Sequence, residues 1–513
     1  MSLGRTLSVG LVALEGHIVE VEAQLASGLP AFRIVGLPDA ALGEARERVR
    51  AALNSCGMHL PQRRVTVNLS PASMPKSGSA FDVALAVAVV ATGSIPGRNE
   101  ARSTVHLGEL GLDGRLHPVR GVLPMVARAV AAGRRRVVVP QANAEEASLV
   151  PGADVIGAAH LGDILGRYGL QSVVQLAEPP VAAPPTAGMS NGAGGDLTDV
   201  LGQDHARLAL EVAAAGGHHL YMQGPPGAGK TMLASRLPSI LPELDDAAAV
   251  TVTSVHSLAG TLIPGAGLVR RPPFEAPHHT ASQASIIGGG SGIPRPGAVS
   301  RAHEGVLFLD EAPEFPTAVL QTLRQPLESG EVVLHRAAAS ARYPARFQLV
   351  MAANPCPCGK SGVKCRCGAG VRRRYTSRLT GPLLDRVDIR ITVPRVTRAT
   401  VALGERGESS AVVGERVAAA RDRQARRYAG LPWSLNSGAA GSWLRGSGKI
   451  PRGPMLSRLE RLVDTGDLTM RGLDRVLRLS WTLADLDGAG TPSAAHLAAA
   501  TTLRIGESDA PHW

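Results

Sequence analysis

HHLYMQGPPGAGKT, His218 to Thr231, is the stretch that decides the fold: an apolar strand runs straight into a glycine-rich turn that opens a helix. The turn, Gly224-Pro225-Pro226-Gly227-Ala228-Gly229-Lys230-Thr231, satisfies G-x-x-x-x-G-K-[ST]. Its glycines permit a tight backbone whose N–H groups cradle phosphate, and the helix N-terminus adds positive potential. Lys230 is placed to reach the β- and γ-phosphates and Thr231 to ligate Mg²⁺. ATP and Mg²⁺ are therefore the expected cofactors, on a parallel α/β sheet.

Working outward, GVLFLDE puts Asp310 and Glu311 at the end of a buried strand, where a magnesium carboxylate and a water-activating carboxylate belong. FQLVMAAN ends a further strand at Asn354, a polar group placed to orient the attacking water. Helical Asp204 to Ala215 precedes the phosphate loop. Past Pro394 amphipathic stretches at Gly414–Tyr428, Met455–Thr465, Leu473–Asp487 and Ala494–Arg504 predict a helical lid. Ahead of EPPVAAPPTAGMSNGAGGD, residues 178 to 196, alternating VEVEA and RRVTVNL and helices at Ala40–Cys56 and Val122–Ala132 predict an α+β domain. The organisation expected is an α+β domain at 1–175, a Pro/Gly linker at 176–197, an α/β core at 198–395 and a helical lid at 396–513.

Length agrees, since 513 residues suit about three domains. Aromatics are only 3%, so the cores must be aliphatic. The longest apolar run, Val83 to Ala91, is too short to span a membrane, and no export signal is evident. A cytoplasmic protein with no membrane partner is expected. Net charge is +11, which favours polyanionic partners, although only five of 54 basic residues are lysines, so composition bias is the other reading of the excess.

Four of the five cysteines, Cys356, Cys358, Cys365 and Cys367, form C-x-C-x6-C-x-C. Four thiolates so close suggest a tetrahedral zinc knuckle, with idle thiols or an iron–sulfur cluster as the other readings, because C-x-C is tighter than the usual spacing. Arg372, Arg373, Arg374 and Tyr375 follow, a basic run with one stacking aromatic that reads either as a track for a nucleic-acid backbone or as a solvated loop. His278 and His279 are poor metal ligands if they lie in a strand, where neighbours face opposite sides.

GPPGAGKT, FEAPHHTASQASIIGGGSGIPRPGAVSRAHEGVLFLDEAPEF, MAANPCPCG and GPLLDRVDI, in that order, resemble the YifB/ComM family of magnesium chelatase-like AAA+ proteins. The resemblance implies a P-loop α/β core with a C-terminal helical lid. It makes Asn354 the sensor 1 residue, Arg386 the arginine finger reaching a neighbour's γ-phosphate, and Arg471 the sensor 2 arginine. Arg378 competes for the finger role, and a salt bridge with Asp385 or Asp388 is the structural reading of Arg386. A hexameric homo-oligomer is implied, as is a glycine-rich insert at Pro277–Gly297 that projects into its pore. PKSGSAFDVALAVAV and LGELGLDGRLHPVRGVLPMVARAVAAGRRRVVVP resemble the Lon protease (S5-like) fold, but Ala80 stands where that family has serine and Leu123 where it has lysine. Ser77 and Ser79 are out of register, so the domain is expected to bind or assemble rather than cleave. The function implied is an ATP-driven motor on single-stranded or branched DNA, a branch-migration helicase of recombination or natural transformation. The alternative is the motor subunit of a magnesium chelatase, and a protease is disfavoured by Ala80 and Leu123.

Overall fold

The computed structural model describes residues 3–36, 40–60, 63–72, 76, 78–171, 195–290, 294–335, 340–360, 365–379, 383–396, 407–446, 450–451 and 453–505. Most of the expected linker, Ser77 and positions 291–293 of the glycine-rich insert lie outside them.

In the first part of the chain the alternation of VEVEA is realised as strand Glu15–Ala26, in which Val19, Val21 and Ala23 are buried while Glu20 and Glu22 are partly exposed. It pairs antiparallel with Leu3–Val12 and with Arg64–Ser70. Strands Ala31–Val35, Val105–His106, Arg136–Pro140 and Asp154–Ala158 join in parallel, completing a mixed seven-stranded sheet. Asp82–Val90, apolar all round after its first residue, is buried from Asp82 to Val89 against the Val19/Val21 core, and Val122–Ala131 packs into a second apolar cluster. Ala80 and Leu123, widely separated in sequence, meet in that second cluster beside Leu7 and Leu107.

The second part is built on five parallel strands in the order Phe274–Glu275, Val306–Leu309, Gln348–Ala353, Leu220–Gln223, Ile389–Thr392. Strands buried on both faces must be apolar throughout, and Val306–Leu309 and Gln348–Ala353 are buried at every position. Val306, Phe308, Val350 and Ala352 face helix Asp204–Gly216, while Leu307, Leu309, Leu349 and Met351 face the cluster holding Phe315 and Leu323. The C-terminal helices Ser410–Arg427, Pro454–Asp464, Met470–Leu486 and Ala494–Ile505 share the first of these cores, with Trp481 fully buried. Their apolar faces are thus continuous with one face of the sheet. The two parts touch where Leu258 packs beside Ala13 and where the Ser257 hydroxyl donates to Glu146.

Candidate functional site: a phosphate loop at the carboxyl edge of the sheet

In an all-parallel sheet every strand ends at the same edge, and that geometry collects the chemistry. Leu220–Gln223 delivers Gly224, Val306–Leu309 delivers Asp310 and Glu311, and Gln348–Ala353 delivers Asn354. The loop between Gly224 and helix Lys230–Arg236 needs its glycines: Gly227 and Gly229 have φ of 74° and 85°, and a Cβ on Gly224 would sit 2.3 Å from the Val393 carbonyl.

Lys230 is buried, and its Nζ donates to the carbonyls of Gly224 at 2.7 Å and Pro225 at 3.1 Å and to Asn354 Oδ1 at 3.1 Å. Burial lowers its pKa and the nearby carboxylates of Asp310 and Glu311 partly restore it. Thr231 Oγ1 donates to Asp310 Oδ2 at 2.6 Å, so a hydroxyl and a carboxylate oxygen converge beside the loop, a donor pair suited to a hard cation. Asp310 Oδ1 accepts from the Glu311 amide at 2.9 Å. Glu311 itself adopts φ 49°, ψ 41°, a left-handed conformation uncommon outside glycine, and it is exposed.

One residue at the site escapes the sequence reading, and another reads there only as a poor metal ligand. Gln203 donates through Nε2 to the Ala228 carbonyl at 2.7 Å, bracing the loop from behind. His279 places Nδ1 3.5 Å from Glu311 Oε2. His278 and His279 follow the short strand Phe274–Glu275 rather than lying in it, and their rings lie side by side, tilted by 33° with centroids 4.1 Å apart, so the expectation that they face opposite sides fails. The insert beyond them forms helix Gln283–Ile287 and a two-residue ladder between Gly288–Gly289 and Arg295–Pro296.

Arg386 and Arg471 are brought together, but not with Lys230. Both line a cavity of about 350 Å³ with Arg475, Arg478, Asp388 and Glu328, and its lining among the described residues includes none of Lys230, Thr231, Asp310, Glu311 or Asn354. Burial and then the charges of Arg324, Arg471 and Arg475 depress the pKa of Arg386, which pairs with Glu328. The anticipated salt bridge with Asp388 is instead made by Arg475, which also donates to the Arg386 carbonyl at 3.1 Å. Arg378 donates to the Pro313 carbonyl at 3.0 Å and lies 3.6 Å from Glu314.

Cys356, Cys358, Cys365 and Cys367 gather with all four sulfurs within 4.8 Å of one another. Helix Ala369–Ser377 follows, and Arg372, Arg373 and Arg374 are exposed on it. Tyr375 corrects the expectation: it is only 5% exposed, and burial pushes its pKa up to about 12, so its ring packs inside and offers no stacking face.

No helix among the described residues is long and apolar enough to cross a membrane. Three family profiles match along the chain: "Subunit ChlI of Mg-chelatase" at residues 21–143, "Magnesium chelatase, subunit ChlI" at 196–401 and "Magnesium chelatase, subunit ChlI C-terminal" at 407–504. The chain is 49% identical to an uncharacterized protein of Mycobacterium tuberculosis over 98% of this chain and 99% of the relative. It is 40% identical to competence protein ComM of Haemophilus influenzae over 98% of each, and 37% identical to the uncharacterized protein YifB of Escherichia coli over 98% and 97%. Partial likenesses, each over 30% of this chain, are to the magnesium-chelatase 38 kDa subunit of Rhodobacter capsulatus at 29% identity and to Lon protease of Mycolicibacterium smegmatis at 27%. With its phosphate loop, its strand order and two relatives matched end to end, the chain belongs to the YifB/ComM family of magnesium chelatase-like AAA+ proteins.

Proposed function

We propose that the protein is a Mg²⁺-dependent ATPase that assembles as a hexameric ring and drives the remodelling of DNA. The observation that carries this is the convergence of Lys230, Thr231, Asp310, Glu311 and Asn354 around one phosphate loop. Lys230 Nζ, now satisfied by Gly224, Pro225 and Asn354, would turn to the β- and γ-phosphates. Thr231 and Asp310 would hold Mg²⁺, which supplies charge neutralisation at the phosphates when bound. Glu311 would take the proton of the attacking water, with Asn354 orienting that water.

The separation of Arg386 and Arg471 from the phosphate loop supports a site completed by a neighbour. Both arginines would then serve the adjacent subunit's triphosphate, Arg386 as the finger and Arg471 as sensor 2. A composite site of this kind needs a head-to-tail interface, which forms a ring where its rotation closes.

DNA as the substrate rests on the net charge of +11, on the exposed Arg372, Arg373 and Arg374, and on the end-to-end likeness to a competence protein. The magnesium chelatase reading has a likeness covering 30% of this chain behind it, against 98% for ComM. For the first part of the chain, Ala80 and Leu123 in one apolar cluster support a Lon-like domain that has lost its chemistry and binds or assembles instead. The test is the ATP hydrolysis rate with Mg²⁺, alone and with single-stranded, double-stranded or branched DNA. Stimulation by single-stranded or branched DNA that fades with added salt is expected. Hydrolysis indifferent to every DNA at low salt would favour the chelatase reading.

A further inference from the structure

The cysteine cluster lies beside the phosphate site on both of its flanks. Cys356 comes two residues after Asn354, and the chain then turns so that the Gly359 amide donates to the Cys356 carbonyl at 2.8 Å. Gly359 has φ 71° and lies directly against the phosphate loop: a Cβ there would sit 2.6 Å from Cγ of Pro226. After Cys365 and Cys367 the chain enters helix Ala369–Ser377, whose Tyr375 is buried beside the backbone of Asn354. The cluster is thus tied to Asn354 at both ends and rests on Pro226 in the middle.

The four sulfurs lie close enough together to share one ion. Zn–S bonds of about 2.3 Å in a tetrahedron put sulfurs about 3.8 Å apart. Cys356 Sγ lies 3.0 Å from Cys358 Sγ and 3.3 Å from Cys365 Sγ, and Cys358 and Cys365 are 3.7 Å apart. A disulfide needs about 2.05 Å, and all five cysteines are free. Four thiols gain little from one another, since S–H is a weak donor, whereas one soft ion satisfies all four sulfurs. The Cys358 amide already points at Cys356 Sγ, 3.4 Å away, the kind of outer hydrogen bond that steadies a metal-bound thiolate.

We propose that Cys356, Cys358, Cys365 and Cys367 bind one zinc ion as thiolates, and that the loaded knot fixes Asn354 and Pro226 against the triphosphate, so that zinc is a structural requirement for ATP turnover. Binding releases the thiol protons to solvent and changes no oxidation state. The second half of the proposal rests on the ATPase reading, and the first does not.

Metal analysis of the full chain purified without added zinc, beside its ATPase rate, tests both. About one zinc per chain is expected, lost in the Cys356→Ser, Cys365→Ser double variant. Stripping zinc from the parent under reducing conditions should lower kcat on the order of tenfold, and re-adding zinc should restore it with the far-ultraviolet circular dichroism unchanged throughout. Gly359→Ala separates coupling from binding, because it leaves all four cysteines in place yet pushes on Pro226. It should keep its zinc and still lose on the order of tenfold in kcat. Iron with sulfide in place of zinc, or full zinc in the double variant, overturns the site. Parent turnover in stripped protein or in Gly359→Ala overturns the coupling. A zinc-loaded parent that never hydrolyses ATP leaves the site standing and defeats the ATPase reading and the coupling together.

Discussion

Glu311 is held by three separate constraints: its place after a buried strand, a backbone at φ 49°, and His279 Nδ1 3.5 Å from its carboxylate. A non-glycine residue keeps such a φ only when its surroundings impose it, and these positions gather at functional sites. If Glu311 takes the proton of the attacking water, Glu311→Gln should bind ATP with the parent's affinity and lose about 10²- to 10⁴-fold in kcat. Equilibrium binding of a fluorescent ATP analogue beside steady-state turnover checks this, and turnover at the parent rate would move the base elsewhere. At this scale the motif spacing is local, so the sequence could name Lys230, Thr231, Asp310, Glu311 and Asn354, which the fold brings to one edge of the sheet. It could not show His279 against Glu311 or the burial of Tyr375. Both depend on where distant segments pack, and a tyrosine beside three arginines reads the same whether its ring is in or out.

Among the elements, the strands of the parallel sheet were legible because burial on both faces demands unbroken apolar runs, as in Val306–Leu309. Phe274–Glu275 was not, since two residues carry no period and only pairing with Val306–Leu307 makes them a strand. The helical C-terminal segment was legible from its 3.6-residue period, whereas its sharing of one core with the sheet was not. In the first sheet, His106 on strand Val105–His106 is fully buried, with Nδ1 2.7 Å from Thr6 Oγ1 and Nε2 2.7 Å from the Tyr168 hydroxyl. Burial lowers its pKa from 6.5 to about 3. The folded state therefore prefers the neutral ring, and the stability this gives is complete above pH 6.5 and lost as pH falls from there toward 3. The slope due to this one group is roughly 1.4 kcal/mol per pH unit. Thermal unfolding of the full chain between pH 7 and pH 5, roughly the window where histidine titrates, should show a shallower decline in His106→Gln than in the parent. An unchanged slope would mean that His106 does not take up a proton on unfolding.

At the scale of the molecule, the proposal of a shared site rests on two groups of residues that one chain keeps apart. The phosphate loop carries Lys230, Asp310, Glu311 and Asn354, while Arg386 and Arg471 face a different cavity lined by further arginines and by Asp388 and Glu328. Concentrating arginines in one polar cavity sets their charges against one another, and burial first, then the charges of Arg324, Arg471 and Arg475, lowers the pKa of Arg386. A partner's triphosphate would relieve that repulsion. Sequence motifs could name both halves because each is short and local. Their separation within one subunit has no local signature: Arg386 precedes strand Ile389–Thr392, at the sheet edge opposite the phosphate loop, and Arg471 sits on helix Met470–Leu486. The most direct test is ATP turnover in mixtures of Lys230→Ala and Arg386→Ala, each inactive alone. Where the Arg386→Ala subunit supplies the phosphate loop and its Lys230→Ala neighbour supplies the arginine, a complete site forms. Turnover should rise from zero through a maximum at intermediate ratios and return to zero. Turnover absent at every ratio, in mixtures shown to co-assemble, would contradict a site shared between subunits.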